Sequence, residues 1–155
     1  KKSETKTTAN KKSATRKSKK ENLLVVPEDS IYATGRRKKS IAKVWAFPGK
    51  GTIVMNNMPM EDYIKRSVLV DKIQEPLKKL SLLSKIDIKI STNGGGLTGQ
   101  AGAAQHGISR ALLAMNEEHK PILRAAGFLT RDMRAKERKK YGKRGARKGA
   151  TYRKR

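Results

Sequence analysis

Three glycines, Gly94, Gly96 and Gly99, have the G-x-G-x-x-G spacing of a dinucleotide-binding loop. The alternating run 86–90 before them predicts a strand, and the residues after them predict a helix. Backbone N–H groups at a helix N-terminus bind phosphate, so this context suits such a loop. However, no acidic residue ends a second apolar strand about 20 positions further on. A phosphate of RNA, or close packing of strand on helix, is therefore favoured over a cofactor, with a nucleotide-binding enzyme as the alternative.

Other residues with catalytic or metal-binding chemistry lack the spacing that this chemistry needs. Ser109 lies in Gly107-Ile-Ser-Arg-Ala111 beside His106, which is close to a nucleophile elbow, but the final glycine is missing and the segment falls inside a predicted helix. His106 and His119 lack the helical spacing of a zinc pair, and the chain has no cysteine. The sequence predicts no enzyme activity, no metal and no cofactor.

Basic residues dominate the composition. Lys and Arg number 38 against 13 Asp and Glu, giving a formal net charge of +25, and the expected partner is therefore a dense polyanion. A membrane is disfavoured, because the chain has no apolar run of about 18 residues and no basic amphipathic helix with aromatic anchors. Nucleic acid is the predicted partner.

The densest cations of the central region are the four in Gly35-Arg36-Arg37-Lys38-Lys39. They precede the first long strand, and a loop there would let their side chains reach phosphates while the sheet fixes their position. Two aromatic residues, Trp45 and Phe47, follow in that strand. They could stack on bases, but no similar pattern recurs on a second strand, so core packing is predicted for both.

A small α/β domain must position these residues. The apolar patterns predict a β-hairpin from runs 40–47 and 52–56, joined by turn residues 48–51. Helices are predicted over 60–65 and 68–80, with Pro76 expected to kink or divide the second. A strand over 86–90, a helix over 100–115 and a short helix over 117–126 follow, the last closed by Gly127.

Basic segments flank this domain on both sides. We predict a low-complexity N-terminal extension over 1–30, a globular RNA-binding domain over 31–130 and an extended tail over 131–155. The first 22 residues hold no apolar side chain larger than Ala and predict disorder in isolation, or the remainder of a transit peptide. After Thr130 there are 13 Lys or Arg in 25 residues, with two acids.

Five motifs together resemble the ribosomal protein S9 family. They are Tyr32-Ala-Thr-Gly-Arg-Arg-Lys38, Gly94-Gly-Gly-Leu-Thr-Gly-Gln-Ala-Gly102, His106-Gly-Ile108, Gly127-Phe-Leu-Thr-Arg-Asp132 and Glu137-Arg-Lys-Lys140. Their order and spacing carry the resemblance, which covers 31–155. It departs from the family at Asn56-Asn57, where Asn-Gly is usual, at Gln105, where a basic residue is common, and at Arg153, an added cation near the terminus.

The resemblance implies a domain like the second domain of ribosomal protein S5, seated on the head of the small subunit beside other head proteins. The tail would reach transfer RNA in the P site, with Lys154 and Arg155 at its anticodon stem. Implied ribosomal-RNA contacts are Arg36, Arg37, Lys38, Lys39, Gly94, Gly95, Gly96, Thr98, Gln100, His106, Arg110, Arg131, Arg134, Arg138, Lys139, Lys140, Lys143, Arg144, Arg147 and Lys148. The expected location is the ribosome of a bacterial cytoplasm or of an organelle, a mitochondrion or plastid. A free nucleic-acid chaperone is a further alternative, because charge alone would suffice for it.

Overall fold

The structure is a computed structural model that describes residues 24–152. These residues form a mixed arrangement of helices and strands, which confirms the predicted fold class. The strands are β1 (Ile31–Arg37), β2 (Ser40–Pro48), β3 (Ile53–Met55), β4 (Met58–Pro59) and β5 (Ile86–Asn93). The helices are α1 (Met60–Tyr63), α2 (Ser67–Lys79), α3 (Leu97–Met115) and α4 (Lys120–Ala125), and the 3-10 turn Glu117–His119 precedes α4.

The five strands form one sheet in the order β1-β2-β5-β3-β4. Strand β5 is antiparallel to β2 and parallel to β3. The predicted hairpin between 40–47 and 52–56 is therefore wrong, because β5 lies between the two strands. Its isoleucines at 86, 88 and 90 are buried, and its backbone pairs with both neighbours. Local turn residues at 48–51 end β2 but do not set its partner.

The hairpin that does form joins β1 to β2 through Lys38 and Lys39. Lys38 has a φ of 53°, in the left-handed region that turns use. Arg36 and Arg37 were predicted in a loop, but they lie at the end of β1. Lysine carries no turn preference, so nothing in the local sequence marked this turn.

A second, shorter hairpin joins β3 to β4 through Asn56 and Asn57. Their φ angles are 50° and 61°, which confirms that asparagine accepts the conformation where Asn-Gly is usual. Asn56 also binds β5: its Oδ1 accepts a hydrogen bond from Thr92 N at 2.8 Å, and its Nδ2 donates to Thr92 O at 3.2 Å. The side chain thus extends the sheet's hydrogen bonding by one residue.

The helices cover one face of the sheet and bury the core against it. Alternate residues of β2, Ala42, Val44 and Ala46, are buried on this side. Helix α3 crosses β1 closely, since a Cβ placed on Gly35 would overlap backbone atoms of Ala103 and Gly107. The small residues Gly35, Ala103 and Gly107 make this close approach possible.

The helices differ from the predicted ones in several details. Helix α3 begins at Leu97 instead of 100, because the glycine loop before it is short. Pro76 does not divide α2, which continues through it to Lys79. Its ring is buried, and this packing offsets the lost hydrogen bond. Gly127 ends the region of α4 with a φ of 75°, as predicted.

Between Thr130 and Tyr152 the described residues form neither helix nor strand. We call residues 131–152 the tail segment. Within residues 24–152, no helix has both the length and the apolar character needed to cross a bilayer.

Candidate nucleic-acid interface

The β1–β2 turn presents its cations at one end of the sheet. Arg36, Lys38 and Lys39 are exposed. The Arg37 side chain is only 19% exposed, because it turns back toward the tail segment. Three of the four cations therefore face solvent, and Arg37 is used within the protein.

Arg37 anchors the start of the tail segment. Its Nη2 lies 2.7 Å from Asp132 Oδ2, and its Nη1 donates to Arg134 O at 2.9 Å. Asp132 also accepts hydrogen bonds from Arg134 Nε and Nη2, at 3.2 Å and 2.9 Å. These contacts hold the chain after Thr130 beside the end of β1.

The charge state of Asp132 follows from these partners. The hydrogen bonds from the Arg134 side chain and backbone, with smaller charge effects of Arg134 and Arg37, lower the pKa of Asp132 to about 2. The same contact raises the pKa of Arg134. At neutral pH the carboxylate is charged, and it keeps two guanidinium groups close together.

The glycine loop packs against the same turn. Gly94 and Gly95 have φ angles of 73° and 64°. Ser40 Oγ donates to Gly94 O at 3.0 Å, and a Cβ on Gly95 would overlap that hydroxyl. Positive φ and close packing explain both glycines without a ligand. The loop is exposed, and a Cβ on Gly94 would meet Lys39 O at 2.7 Å, so its backbone borders the cationic turn.

The first turn of α3 contains two predicted RNA contacts in different environments. Thr98 is exposed, and no side chain caps the helix at Gly96. Gln100 is 9% exposed; its Oε1 accepts from Tyr63 OH at 2.9 Å, and its Nε2 donates to Gly94 O at 3.2 Å. Gln100 therefore fixes the glycine loop to the domain.

Two α3 side chains bind the free edge of β1. Arg110 Nη1 donates to Thr34 O at 2.7 Å, and the His106 ring accepts at Nδ1 from Arg36 N at 3.4 Å. An exposed strand edge is a template for unwanted pairing, and these contacts occupy part of it.

The surroundings of His106 favour its neutral form. Burial is the main cause that lowers its pKa; the positive charges of Arg110 and Arg131 also lower it, while a backbone hydrogen bond at Leu129 acts in the opposite direction. A neutral ring that accepts at Nδ1 carries its proton on Nε2. His106 thus joins β1 and α3 to the chain that leads into the tail segment.

A groove of about 360 Å³ lies between the end of β1, α2, α3 and the start of the tail segment. Its charged lining includes five cations and two carboxylates: Arg36, Arg37, Lys72, Arg131, Arg134, Glu75 and Asp132. Gln105, which stands where the family commonly has a basic residue, donates from Nε2 to Glu75 Oε2 at 2.7 Å. It ties α3 to α2 at the groove wall.

The rest of the tail segment folds back on itself. Glu137 Oε1 lies 2.6 Å from Arg147 Nη2, and Arg144 N donates to Lys148 O at 2.9 Å. The remaining predicted contacts here are exposed: Arg138, Lys139, Lys140, Lys143, Arg144, Arg147 and Lys148. Arg131 is exposed as well. Lys154 and Arg155 lie outside the described residues.

Sequence reasoning missed the two carboxylates that organise this segment. Asp132 and Glu137 are the only acids after Thr130, and each pairs with arginine. Isolated acids inside a basic run were the available signal. No sequence signal marked Ser40, which fixes the glycine loop.

The alternative chemistries find no support in the geometry. Dinucleotide binding needs a second parallel strand after the helix, and in the described part of the chain no strand follows α3. Ser109 is fully buried and its Oγ donates to Gln105 O at 2.8 Å, so it is not placed as a nucleophile. No group of three or more metal-ligating side chains occurs among residues 24–152.

Comparison with known proteins gives consistent matches. The model of the family described as ribosomal protein S9/S16 matches residues 35–155. The small ribosomal subunit protein uS9 of Lawsonia intracellularis is 54% identical over 124 residues, which cover 80% of this chain and 95% of that protein. Proteins of the same name from Maridesulfovibrio salexigens and Syntrophobacter fumaroxidans are 51% and 48% identical over 128 residues, 83% of this chain and 98% of each relative.

Proposed function

The chain belongs to the ribosomal protein S9/S16 family, and from that premise we propose that it is a structural constituent of the small ribosomal subunit head. In this role it binds ribosomal RNA and contacts transfer RNA in the P site, and it catalyses no reaction. The observation that carries the proposal is the meeting of the cationic β1–β2 turn, the glycine loop and the anchored tail segment at one end of the sheet.

Phosphate binding is the chemistry that this end of the molecule supports. Arg36, Lys38 and Lys39 face solvent, and the sheet holds the backbone that carries them. They can therefore bind phosphates with little further loss of backbone freedom. The exposed loop 94–96 adds backbone donors at the start of α3. Such contacts position RNA without reading its bases.

The proposed RNA contacts divide into two groups according to whether they hold the turn, the glycine loop and the start of the tail segment in place. Arg37, Gln100, His106 and Arg134 make the hydrogen bonds that hold the turn, the glycine loop and the tail segment in place. The others are exposed, and we propose that they meet RNA directly: Arg36, Lys38, Lys39, Gly94, Gly95, Gly96, Thr98, Arg110, Arg131, Arg138, Lys139, Lys140, Lys143, Arg144, Arg147 and Lys148.

The proposed organisation is an N-terminal extension over 1–30, an RNA-binding domain over 31–130 and a tail over 131–155. Other proteins of the subunit head are the proposed neighbours. The three relatives named above are from bacteria, which supports a ribosome in a bacterial cytoplasm over one in an organelle.

Co-sedimentation with ribosomal subunits tests this function. Tagged full-length protein is expected in the small-subunit peak of a sucrose gradient, at a salt concentration that removes loosely bound cations. The double variant Lys38→Gln/Lys39→Gln is expected to be retained less than Lys79→Gln/Lys120→Gln, a pair of exposed lysines away from the interface. Release of the wild-type protein to the top of the gradient would contradict the proposal and favour a free nucleic-acid binder.

The transfer-RNA contact has its own test. Deleting Lys154 and Arg155 is expected to leave subunit assembly intact and to increase the dissociation rate of P-site transfer RNA, most clearly as salt rises. The Lys79→Gln/Lys120→Gln variant is the charge-matched control. A dissociation rate equal to that of the wild type across the salt series would remove Lys154 and Arg155 from the site.

A further inference from the structure

The sheet face opposite the helices carries two aromatic rings in one cross-strand row. By register, Tyr32 of β1 lies opposite Trp45 of β2, and Trp45 lies opposite Lys89 of β5. The next row is Thr34, Lys43 and Ser91. We call these two rows the outer patch. Its residues alternate with the buried residues that face the helices, so they point to the other side.

Part of the outer patch is covered and part is open. Lys89 Nζ donates to Leu24 O at 3.2 Å, which places the chain before β1 against the β5 side. Phe47, further along β2, is only 7% exposed, which confirms its predicted core packing. Tyr32 is 50% exposed, Lys43 is exposed and Trp45 is only partly buried. The prediction of core packing therefore holds for Phe47 but not fully for Trp45.

The two rings form one aromatic surface. Their centroids are 5.4 Å apart and their planes are inclined by 46°. The β1–β2 register holds both rings at fixed positions, so they lose little conformational freedom when a third ring stacks on them. Aromatic side chains on a sheet are a common platform for unpaired bases, because every base has a π face.

The charge around the rings selects among aromatic ligands. The outer patch contains two lysines and no acid. One carboxylate on this face, Asp87 of β5, accepts hydrogen bonds at Oδ1 from Lys50 N and Thr52 N, so it is used within the fold. A positive, aromatic surface in a chain of net charge +25 is complementary to a nucleotide.

We propose that the outer patch binds an unpaired RNA nucleotide, whose base stacks on Tyr32 and Trp45 and whose phosphate lies near Lys43. This deepens the proposed function, because it adds a second RNA contact on the opposite face from α3. Stacking requires an exposed base, so single-stranded RNA binds here and an intact duplex does not.

Trp45 is the only tryptophan of the chain, so its fluorescence reports on the outer patch alone. Full-length protein is titrated with fluorescein-labelled octa-adenylate and with an RNA duplex of the same length. Label anisotropy measures binding anywhere on the protein, and Trp45 emission measures binding at the patch. We expect saturable quenching of Trp45 by octa-adenylate and little by the duplex.

Variants separate stacking from charge and from misfolding. Tyr32→Ala is expected to weaken the affinity read at Trp45 by about fivefold or more, as loss of one stacked base does. Tyr32→Phe keeps the ring and should bind as the wild type does. Tyr141→Ala is the matched control, since Tyr141 is fully exposed in the tail segment. Lys43 is exposed, and Lys43→Gln should weaken RNA binding. The affinity of this variant should also fall less steeply with rising salt than that of the wild type.

Three results would overturn the proposal: octa-adenylate that binds by anisotropy without changing Trp45 emission, equal quenching by the duplex, or an unchanged Tyr32→Ala affinity. The first result would favour a neighbouring protein as the partner of the outer patch. Failure of RNA binding at the outer patch is distinguishable from failure of the proposed function, because subunit co-sedimentation tests the cations of the β1–β2 turn. If RNA quenches Trp45 but the protein is not retained in the small-subunit peak, RNA binding at the outer patch is supported and the proposed ribosomal role is contradicted.

Discussion

The β1–β2 turn and the tail segment both carry clustered cations, but they are positioned by different forces. In the turn, strand pairing and the close approach of α3 fix each residue. In the tail segment, where no helix or strand forms, two carboxylates hold a strongly basic chain in place. Packing depends little on pH and salt, whereas exposed ion pairs weaken as salt rises and as the carboxylate takes up a proton at low pH. The cations of the turn are therefore held rigidly, whereas the positions of those in the tail segment can change with pH and salt.

The largest effect is expected from disrupting the packing side of this contrast. Gly35→Val would place a side chain into the backbone of Ala103 and Gly107, which cannot yield as a flexible side chain would. We expect a loss of about 3 kcal/mol or more in the free energy of unfolding, measured by urea denaturation. Gly149→Val is the control in the tail segment, because nothing lies within 4 Å of its Cβ position. Equal urea midpoints for the two variants would contradict the contrast.

A smaller effect is expected where the two regions join at His106. Its pKa is lowered in the folded protein, so the unfolded chain takes up a proton at higher pH than the folded one. The free energy of unfolding should therefore fall as pH drops below about 6.5. Urea midpoints of the wild type at pH 7.5 and pH 5.0 test this. His106→Gln should show a weaker dependence over that window, and an identical slope would exclude His106 as its source.

The smallest effect on unfolding is expected at Asp132, where the tail segment is anchored. Asp132→Asn should change the urea midpoint little, because the carboxylate is 32% exposed. Release of the anchor should instead make trypsin cleave faster after Arg134, measured against Glu137→Gln as the control. Unchanged cleavage at Arg134 would show that the anchor does not order this part of the chain.

The pH dependence of the same anchor has a definite sign. The pKa of Asp132 is about 2 in the folded protein against an ordinary value of 3.8. Its stabilising contact is therefore complete above about pH 4 and is lost as pH falls toward 2. Chemical shifts of the Arg37 guanidinium across this range provide the measurement.

The sequence was informative where a pattern is local. Alternating isoleucines predicted β5, helical spacing predicted α2, and the glycine after α4 marked its end. Failures arose where distant residues decide the outcome. Strand β5 separates the two strands predicted as a hairpin, and no turn motif encodes that insertion. The turn at Lys38 is set by pairing of Arg37 with Ser40.

The interface was predicted as a set of cations but not as an arrangement. Charge density located Arg36, Lys38 and Lys39 correctly on the surface. It could not show that Arg37 faces Asp132, some 95 positions later, or that Gln100 is bonded to Tyr63 and Gly94. These roles depend on contacts between elements, which one-dimensional patterns do not contain.

The central place of β5 has a consequence for how the chain folds during synthesis. Its neighbours β2 and β3 are translated first, and each keeps an unpaired edge until Ile86–Asn93 has left the translating ribosome. Open strand edges promote association between chains, and pairing of sequence-distant strands is slow. Assembly of the sheet therefore waits for its last strand, and the interval before β5 emerges is when the nascent chain is most exposed to aggregation.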